Sequence, residues 1–222
     1  MATTAEVRRC TRLRGEPMRG RAAPECDSMS GTTNEGKEFM HYLSHYESSL
    51  GAMTMASDGE HLTGLWFDGQ KYDRSTIDDD AVLQPRLPVF TQTAQWLDAY
   101  FEGADPGFTP PISIEGSDFR KMVTSIMLSI PFGATSTYAR IAAEVARRTG
   151  RTHMSAQAVG GAVGRNPIVL IVPCHRVLAS DGSLRGYAGG VDRKERLLQR
   201  EGVNMSGLST PPDADDGGGR RE

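Results

Sequence analysis

Five consecutive apolar residues, Ile168-Val169-Leu170-Ile171-Val172, run straight into Pro173-Cys174-His175-Arg176-Val177, and this stretch constrains the fold most tightly. An unbroken apolar run of this length has to be buried on all sides. Lying between the turn signal Gly164-Arg165-Asn166-Pro167 and a proline, it reads as an interior strand that Pro173 ends. Cys174 would then stand at a strand exit. A thiol is a strong nucleophile only as its thiolate, and an imidazole is one of the few neighbours that promotes ionisation near neutral pH. His175 is the adjacent residue. An unpaired cysteine is also a good small core residue, so the pair acquires a meaning only from the rest of the chain.

A chain of 222 residues, 38% apolar and 24% charged, is long enough for two packed units. The formal net charge of −3 means that a nucleic-acid partner would be met by a local basic face, not by global charge. Three irregularly spaced cysteines make no disulfide framework, and no apolar run reaches the length of a membrane span. Both point to a reducing, soluble compartment, here the cytoplasm. Residues 1–36 mix Arg8, Arg9, Arg12, Arg14, Arg19 and Arg21 with Gly, Pro and Ser and are expected to be a disordered extension. Glu6, Glu16, Glu25 and Asp27 argue against an organelle transit peptide, and a start at Met29 or Met40 is the alternative. Cys10 and Cys26, even with His41 and His45, match no compact zinc motif, so no metal site is expected.

Residues 37–112 read as a small strand-plus-helix domain. Gly51-Ala-Met-Thr-Met-Ala56 and Leu62-Thr-Gly-Leu-Trp-Phe67 flank Asp58-Gly59 as a hairpin. Residues 68–87 are polar and loop-like. Residues 89–101 place Phe90, Ala94, Leu97 and Phe101 on one face of a helix that stops at Gly103. Residues 113–202 are mainly helical. Ser117 caps a helix with Val123, Ile126, Met127 and Ile130 inward, and Thr137 caps a second, with Ile141, Ala142 and Val145 inward, that closes at Gly150. The third helix, about residues 154–163, has a skin of Ala156, Ala158, Gly160, Gly161 and Ala162. Each Gly costs a helix about 1 kcal/mol relative to Ala, so two in succession imply a close approach. That approach is either to a DNA groove, as in a helix-turn-helix, or to a neighbouring helix. Residues 193–200 form a last helix with Leu197 and Leu198 inward, and the tail 203–222 has no fold pattern.

In their order and spacing, Asn166-Pro167, Val172-Pro173-Cys174-His175-Arg176-Val177, Gly186-Tyr187-Ala188-Gly189-Gly190, Lys194 and Leu197-Leu198-Gln-Arg-Glu201-Gly202 resemble the 6-O-alkylguanine-DNA alkyltransferases, also called methylated-DNA–protein-cysteine methyltransferases. Ile130-Pro131-Phe132-Gly133 with Thr137-Tyr138, and Ala158-Val159-Gly160-Gly161-Ala162, are similar to the start and the recognition helix of that family's helix-turn-helix. The resemblance implies an α+β fold: an RNase H-like N-terminal domain, then a mainly helical C-terminal domain with a winged-helix-like helix-turn-helix. It implies a monomeric, cofactor-free DNA-repair enzyme that binds double-stranded DNA containing alkylated guanine. After base flipping, the enzyme moves the alkyl group from 6-O-alkylguanine, and from 4-O-alkylthymine, irreversibly to its own cysteine.

By position Cys174 would be the acceptor, His175 the base acting through a water, and Glu201 the carboxylate that orients His175. Asn166 would hold the turn, and Tyr138 would donate to a ring nitrogen of the leaving guanine. Val177, Tyr187, Ala188 and Lys194 would form the base pocket, and Ala156, Gln157, Ala158, Gly160, Gly161 and Arg165 would face DNA. Gln157 stands where many members have an Arg, Thr124 where they often have a Trp, and the loop at 148–152 is longer than in compact members. Two other readings compete: a cysteine hydrolase using Cys174, His175 and Glu201, and a non-catalytic reader of alkylated DNA. Relatives of the latter kind replace the cysteine.

Overall fold

The structure is a computed structural model that describes residues 40–78 and 80–210. The expectations for residues 1–36, with Cys10 and Cys26, and for the tail beyond residue 210 lie outside the described residues. Four strands form one sheet in the order β3-β2-β1-β4. β1 (Tyr42–Ser48) and β2 (Gly51–Ser57) are antiparallel, β3 (Leu62–Phe67) is antiparallel to β2, and β4 (Val82–Leu83) runs parallel to β1. The β2–β3 hairpin is the one read from Asp58-Gly59. Its turn is closed by Asp58 Oδ1, which accepts the N–H groups of Glu60 and His61. Trp66 lies across Gly64, where a Cβ would come within 1.8 Å of the indole, so this strand position admits only glycine.

Helix α1 (Pro88–Phe101) starts on a proline, whose missing N–H is no loss in a first turn. It buries Val89, Phe90, Thr93, Trp96, Leu97 and Tyr100. The inward face is therefore rotated from the expected one: Ala94 and Phe101 are only half-buried, while Trp96 and Tyr100 stack 5.2 Å apart inside.

In the second half, α2 (Asp118–Leu128) and α3 (Tyr138–Thr149) carry the expected caps. Ser117 accepts from the Arg120 N–H, and Thr137 Oγ1 accepts from that of Arg140. Gly150 ends α3 at φ 65° in the left-handed conformation that an L side chain resists. α4 (Ala156–Gly164) follows, capped by Ser155, and α5 (Val191–Arg200) closes the fold. A short parallel pair, β5 (Ser136–Thr137) with β6 (Val177–Leu178), ties the entry of α3 to the cysteine segment. Met53, Leu65, Phe90 and Leu97 share one core with Val123, Ile141, Val159 and the cysteine segment. Each fully buried Leu or Ile stabilises it by about 2 kcal/mol.

Two further expectations differ. Residues 168–172 are buried as anticipated but are not a strand. Only Ile168 bridges, to Leu65, and the chain then turns back through Leu170 at φ 68°. Asn166 makes this possible. Its amide Nδ2 donates to the carbonyls of Ile168 (3.2 Å) and Val172 (2.8 Å), and its Oδ1 accepts the Ile168 N–H (3.1 Å), replacing the ladder a strand would supply. The patternless tail also begins later than Val203: Val203, Met205 and Leu208 pack against Leu178, Leu184 and Leu198, and the Leu184 N–H donates to Ser209 O.

Candidate active site

The tight turn delivers residues 174–176 as a single 3-10 turn, Cys174–Arg176, beneath the end of α5. Cys174 is 4% exposed, His175 fully buried and Glu201 5% exposed. His175 Nε2 lies 2.6 Å from Glu201 Oε1, and Asn166 Nδ2 lies 3.1 Å from Cys174 Sγ. Cysteine, histidine, glutamate and asparagine thus come together as the sequence suggests.

Glu201 is more heavily bonded than expected. Oε1 also receives Tyr100 Oη (2.9 Å) and Arg176 Nη2 (3.0 Å), while Oε2 receives Arg176 Nε (2.8 Å) and the Gly133 N–H (3.1 Å). Burial alone would raise this carboxyl, but the hydrogen bonds from His175 and Arg176 and the Arg176 charge override it and hold it at about 2. Glu201 is therefore an anion whenever the protein is folded near neutrality. Burial pushes His175 below its ordinary value against the pull of Glu201, so the ring is neutral, with the proton on the nitrogen facing the carboxylate. Nδ1 has no protein partner among the described residues, which leaves it as the available base.

The thiol differs from expectation. Burial raises Cys174 above its ordinary value, more than the Asn166 bond and the Lys194 charge lower it. Desolvation thus exceeds the stabilisation its neighbours supply and favours the thiol over the thiolate at this position.

A cleft of about 990 Å³ lies beside this centre, lined among others by Gly160, Gly161 and Arg165 at the end of α4 and by Gly186, Tyr187 and Ala188. Tyr187 forms part of the wall, and its ring lies 6.4 Å from that of His175. Cys174 itself is not among the cleft-lining residues. The wall segment is held by two bonds from other cleft residues: the Lys71 N–H donates to Ala188 O (3.0 Å) and Arg193 Nη1 to Gly189 O (3.0 Å). Tyr138, on the first turn of α3, donates weakly to the carbonyls of Arg185 and Gly186 at 3.5 and 3.4 Å. Burial, then the neighbouring Cys174, pushes its phenol up to about 12.

The remaining expected residues divide. Ala156, Gln157, Ala158, Gly161 and Arg165 are exposed, and α4 buries only Val159 and Val163. A Cβ on Gly161 would meet nothing within 4 Å, so the small skin of α4 is not explained by packing inside the fold. Val177 and Lys194 are fully buried away from the cleft. Lys194 Nζ donates to the carbonyls of Val177 (2.6 Å) and Arg185 (3.3 Å), and burial lowers its ammonium to about 8. They buttress the pocket and do not line it. Tyr100, Arg176 and the Gly133 N–H were missed. Arg176 stands in the cysteine motif, and Tyr100 sits seven residues beyond Thr93 on the buried face of α1.

Among the described residues no group of three or more His, Cys, Asp or Glu stands where it could hold a metal ion, and no helix is long and apolar enough to cross a membrane.

A helix-turn-helix with an exposed second helix, set beside a buried cysteine and a buried His175–Glu201 pair, has the features of one class: proteins that carry a buried cysteine on a DNA-binding scaffold. Residues 41–114 match the ribonuclease-like domain, and residues 118–203 the DNA binding domain, of 6-O-methylguanine DNA methyltransferase. The methylated-DNA–protein-cysteine methyltransferase of Mycobacterium tuberculosis strain H37Rv is 37% identical over 162 residues, covering 73% of this chain and 92% of the relative. That of Methanosarcina barkeri is 39% identical over 165 residues, covering 74% and 99%. The crystal structure of M. tuberculosis OGT in complex with DNA superposes with a TM-score of 0.63 at 36% identity, covering 72% of this chain and 92% of that one. The chain therefore belongs to the methylated-DNA–protein-cysteine methyltransferase family of DNA-repair transferases, in its two-domain architecture.

Proposed function

We propose that this protein binds double-stranded DNA, flips out an alkylated guanine and transfers the alkyl group once and irreversibly to Cys174. 4-O-alkylthymine is a second substrate in this reading, and no cofactor takes part. The observation that carries it is the Asn166–Cys174 and His175–Glu201 pairing, buried beside a cleft that α4 shares.

Attack on an sp³ carbon needs a soft nucleophile, which a thiolate supplies. The Cys174 proton passes through a water to His175 Nδ1, and the imidazolium formed is stabilised by Glu201, already ionised. Sulfur then bonds the alkyl carbon as the carbon–oxygen bond breaks. The electron pair left on the purine is neutralised by a proton from Tyr138, whose raised pKa keeps it a donor. Tyr138 recovers its proton from the relay, so the thiol hydrogen ends on guanine and the product is a thioether. Nothing in the relay cleaves a thioether, which makes the reaction stoichiometric.

Because Cys174 is 4% exposed, a purine reaches it only if the wall around Gly186 and Tyr138 separates. A Cβ at Gly186 would lie 2.9 Å from the Tyr138 hydroxyl, so the two are in close contact in the resting state. Flipping a base costs a few kcal/mol, and in this reading Gln157 and Arg165, both exposed, supply contacts to DNA in return.

Incubation with duplex DNA carrying labelled 6-O-methylguanine tests this. Label should move to the wild-type chain and not to Cys174→Ala, while both bind the DNA. Repeated turnover would instead favour a hydrolase, and binding without labelling a reader.

A further inference from the structure

Helix α1 lies in the ribonuclease-like segment, yet it sends one side chain into the relay. Tyr100 is fully buried, its hydroxyl donates to Glu201 Oε1 at 2.9 Å, and it stands 3.4 Å from His175 Nε2. Its ring is fixed by stacking on Trp96 and by edge contacts with Phe132 at 6.0 Å and His175 at 6.3 Å. The hydroxyl and the imidazole thus share one carboxylate oxygen.

We propose that Tyr100 is a positioning residue of the relay: its hydroxyl holds Glu201 Oε1 against His175 Nε2 and moderates how strongly that carboxylate retains a proton on the imidazole. The proposal rests on the relay reading above and extends the relay to the other family domain. Burial and the adjacent Glu201 keep the phenol far above its ordinary value, so it is always a donor toward the carboxylate. Because Oε1 already takes this bond, less of its charge is available to imidazolium, and Nδ1 stays unprotonated to lower pH. The charged and titratable groups around His175 are Glu201 and Lys194 from α5 and its end, Cys174 and Arg176 from the 3-10 turn, Tyr187 from the cleft wall, and Tyr100 from α1. Among them Tyr100 is the neutral donor that contacts the shared oxygen and whose hydroxyl can be deleted while its ring is kept.

Tyr100→Phe tests it, with the rate of Cys174 modification followed against pH by peptide mapping. Two reagents are used, free 6-O-benzylguanine and iodoacetamide. Thiol reactivity falls on the acid side as His175 protonates. With one donor fewer on Glu201 that limb should move up by about 0.5 pH unit or more with both reagents. A residue that only filled space would change the rate by one factor at every pH. A limb that superposes on the wild type overturns the proposal, whatever the absolute rate. If the wild type takes no benzyl group, the iodoacetamide limb alone decides the role of Tyr100, and the transfer reading is judged by the methylated duplex. Should Tyr100→Phe not fold, 3-fluorotyrosine at position 100, a stronger donor of nearly equal size, should move the limb down; an unmoved limb again overturns the proposal.

Discussion

Replacing Asn166 by Ala removes the side chain that turns the cysteine segment back on itself. Asn166 is 6% exposed and makes four bonds: to Ile168 O, Val172 O, the Ile168 N–H and Cys174 Sγ. The two carbonyls keep other partners, since Ile168 O also accepts the Val172 N–H and Val172 O that of Cys174. The Ile168 N–H is left unpaired in the core, which costs about 1–3 kcal/mol, and each lost bond adds about 1 kcal/mol. With three other bonds lost, the expected total is about 4–6 kcal/mol, which lowers the melting temperature by roughly 10–20 °C for a domain of this size. Urea unfolding and differential scanning calorimetry measure it, with iodoacetamide capture of Cys174 at fixed pH as a second readout. Capture should slow in the native state because the bond to Sγ lowers the thiol pKa. A loss below about 1 kcal/mol with unchanged capture would refute this account of the turn, since the segment would then hold its shape without the amide.

Two further outcomes are expected. Glu201 has a folded pKa of about 2 against 4.5, and His175 is also held below its ordinary value, so both groups bind fewer protons folded than unfolded. Their contribution is complete above about pH 6.5 and is lost as pH falls, first through His175 and then through Glu201. Melting temperature against pH should therefore decline from about pH 6.5 and steepen below about 4.5; a flat profile down to pH 4 contradicts the assigned charges. Gln157 is exposed on α4, and Gln157→Arg should speed transfer from duplex DNA more than from free 6-O-benzylguanine, because only the duplex requires flipping; equal effects would remove Gln157 from that role.

The parts of the fold that depend on local chemistry were legible. Ser117, Thr137 and Gly150 act as the caps they resemble, and the Asp58-Gly59 turn closes its hairpin, since each is settled within a few residues. The run Ile168–Val172 gave its burial but not its conformation, because five apolar residues look alike in a strand and in a turn held by a side-chain amide. β1 went unseen: its burial is irregular, with Ser44 alone fully buried, so no alternation marks it. In the site, Cys174, His175, Glu201 and Asn166 follow from the motif. Tyr100 does not, since it comes from a helix about a hundred residues before the carboxylate it touches. The direction of the thiol's pKa depended on desolvation, which a sequence neighbour cannot report, and the burial of Lys194 against the carbonyls of Val177 and Arg185 was hidden for the same reason.

The central claim is that one sulfur accepts one alkyl group and keeps it. Intact-mass analysis of the protein held with excess duplex DNA carrying 6-O-methylguanine, followed by peptide mapping, tests it most directly. The account predicts a gain of one methyl per chain, located on Cys174 and unchanged by further substrate or time. A methyl group on another residue, or continued loss of the DNA methyl group from a protein of unaltered mass, would contradict it.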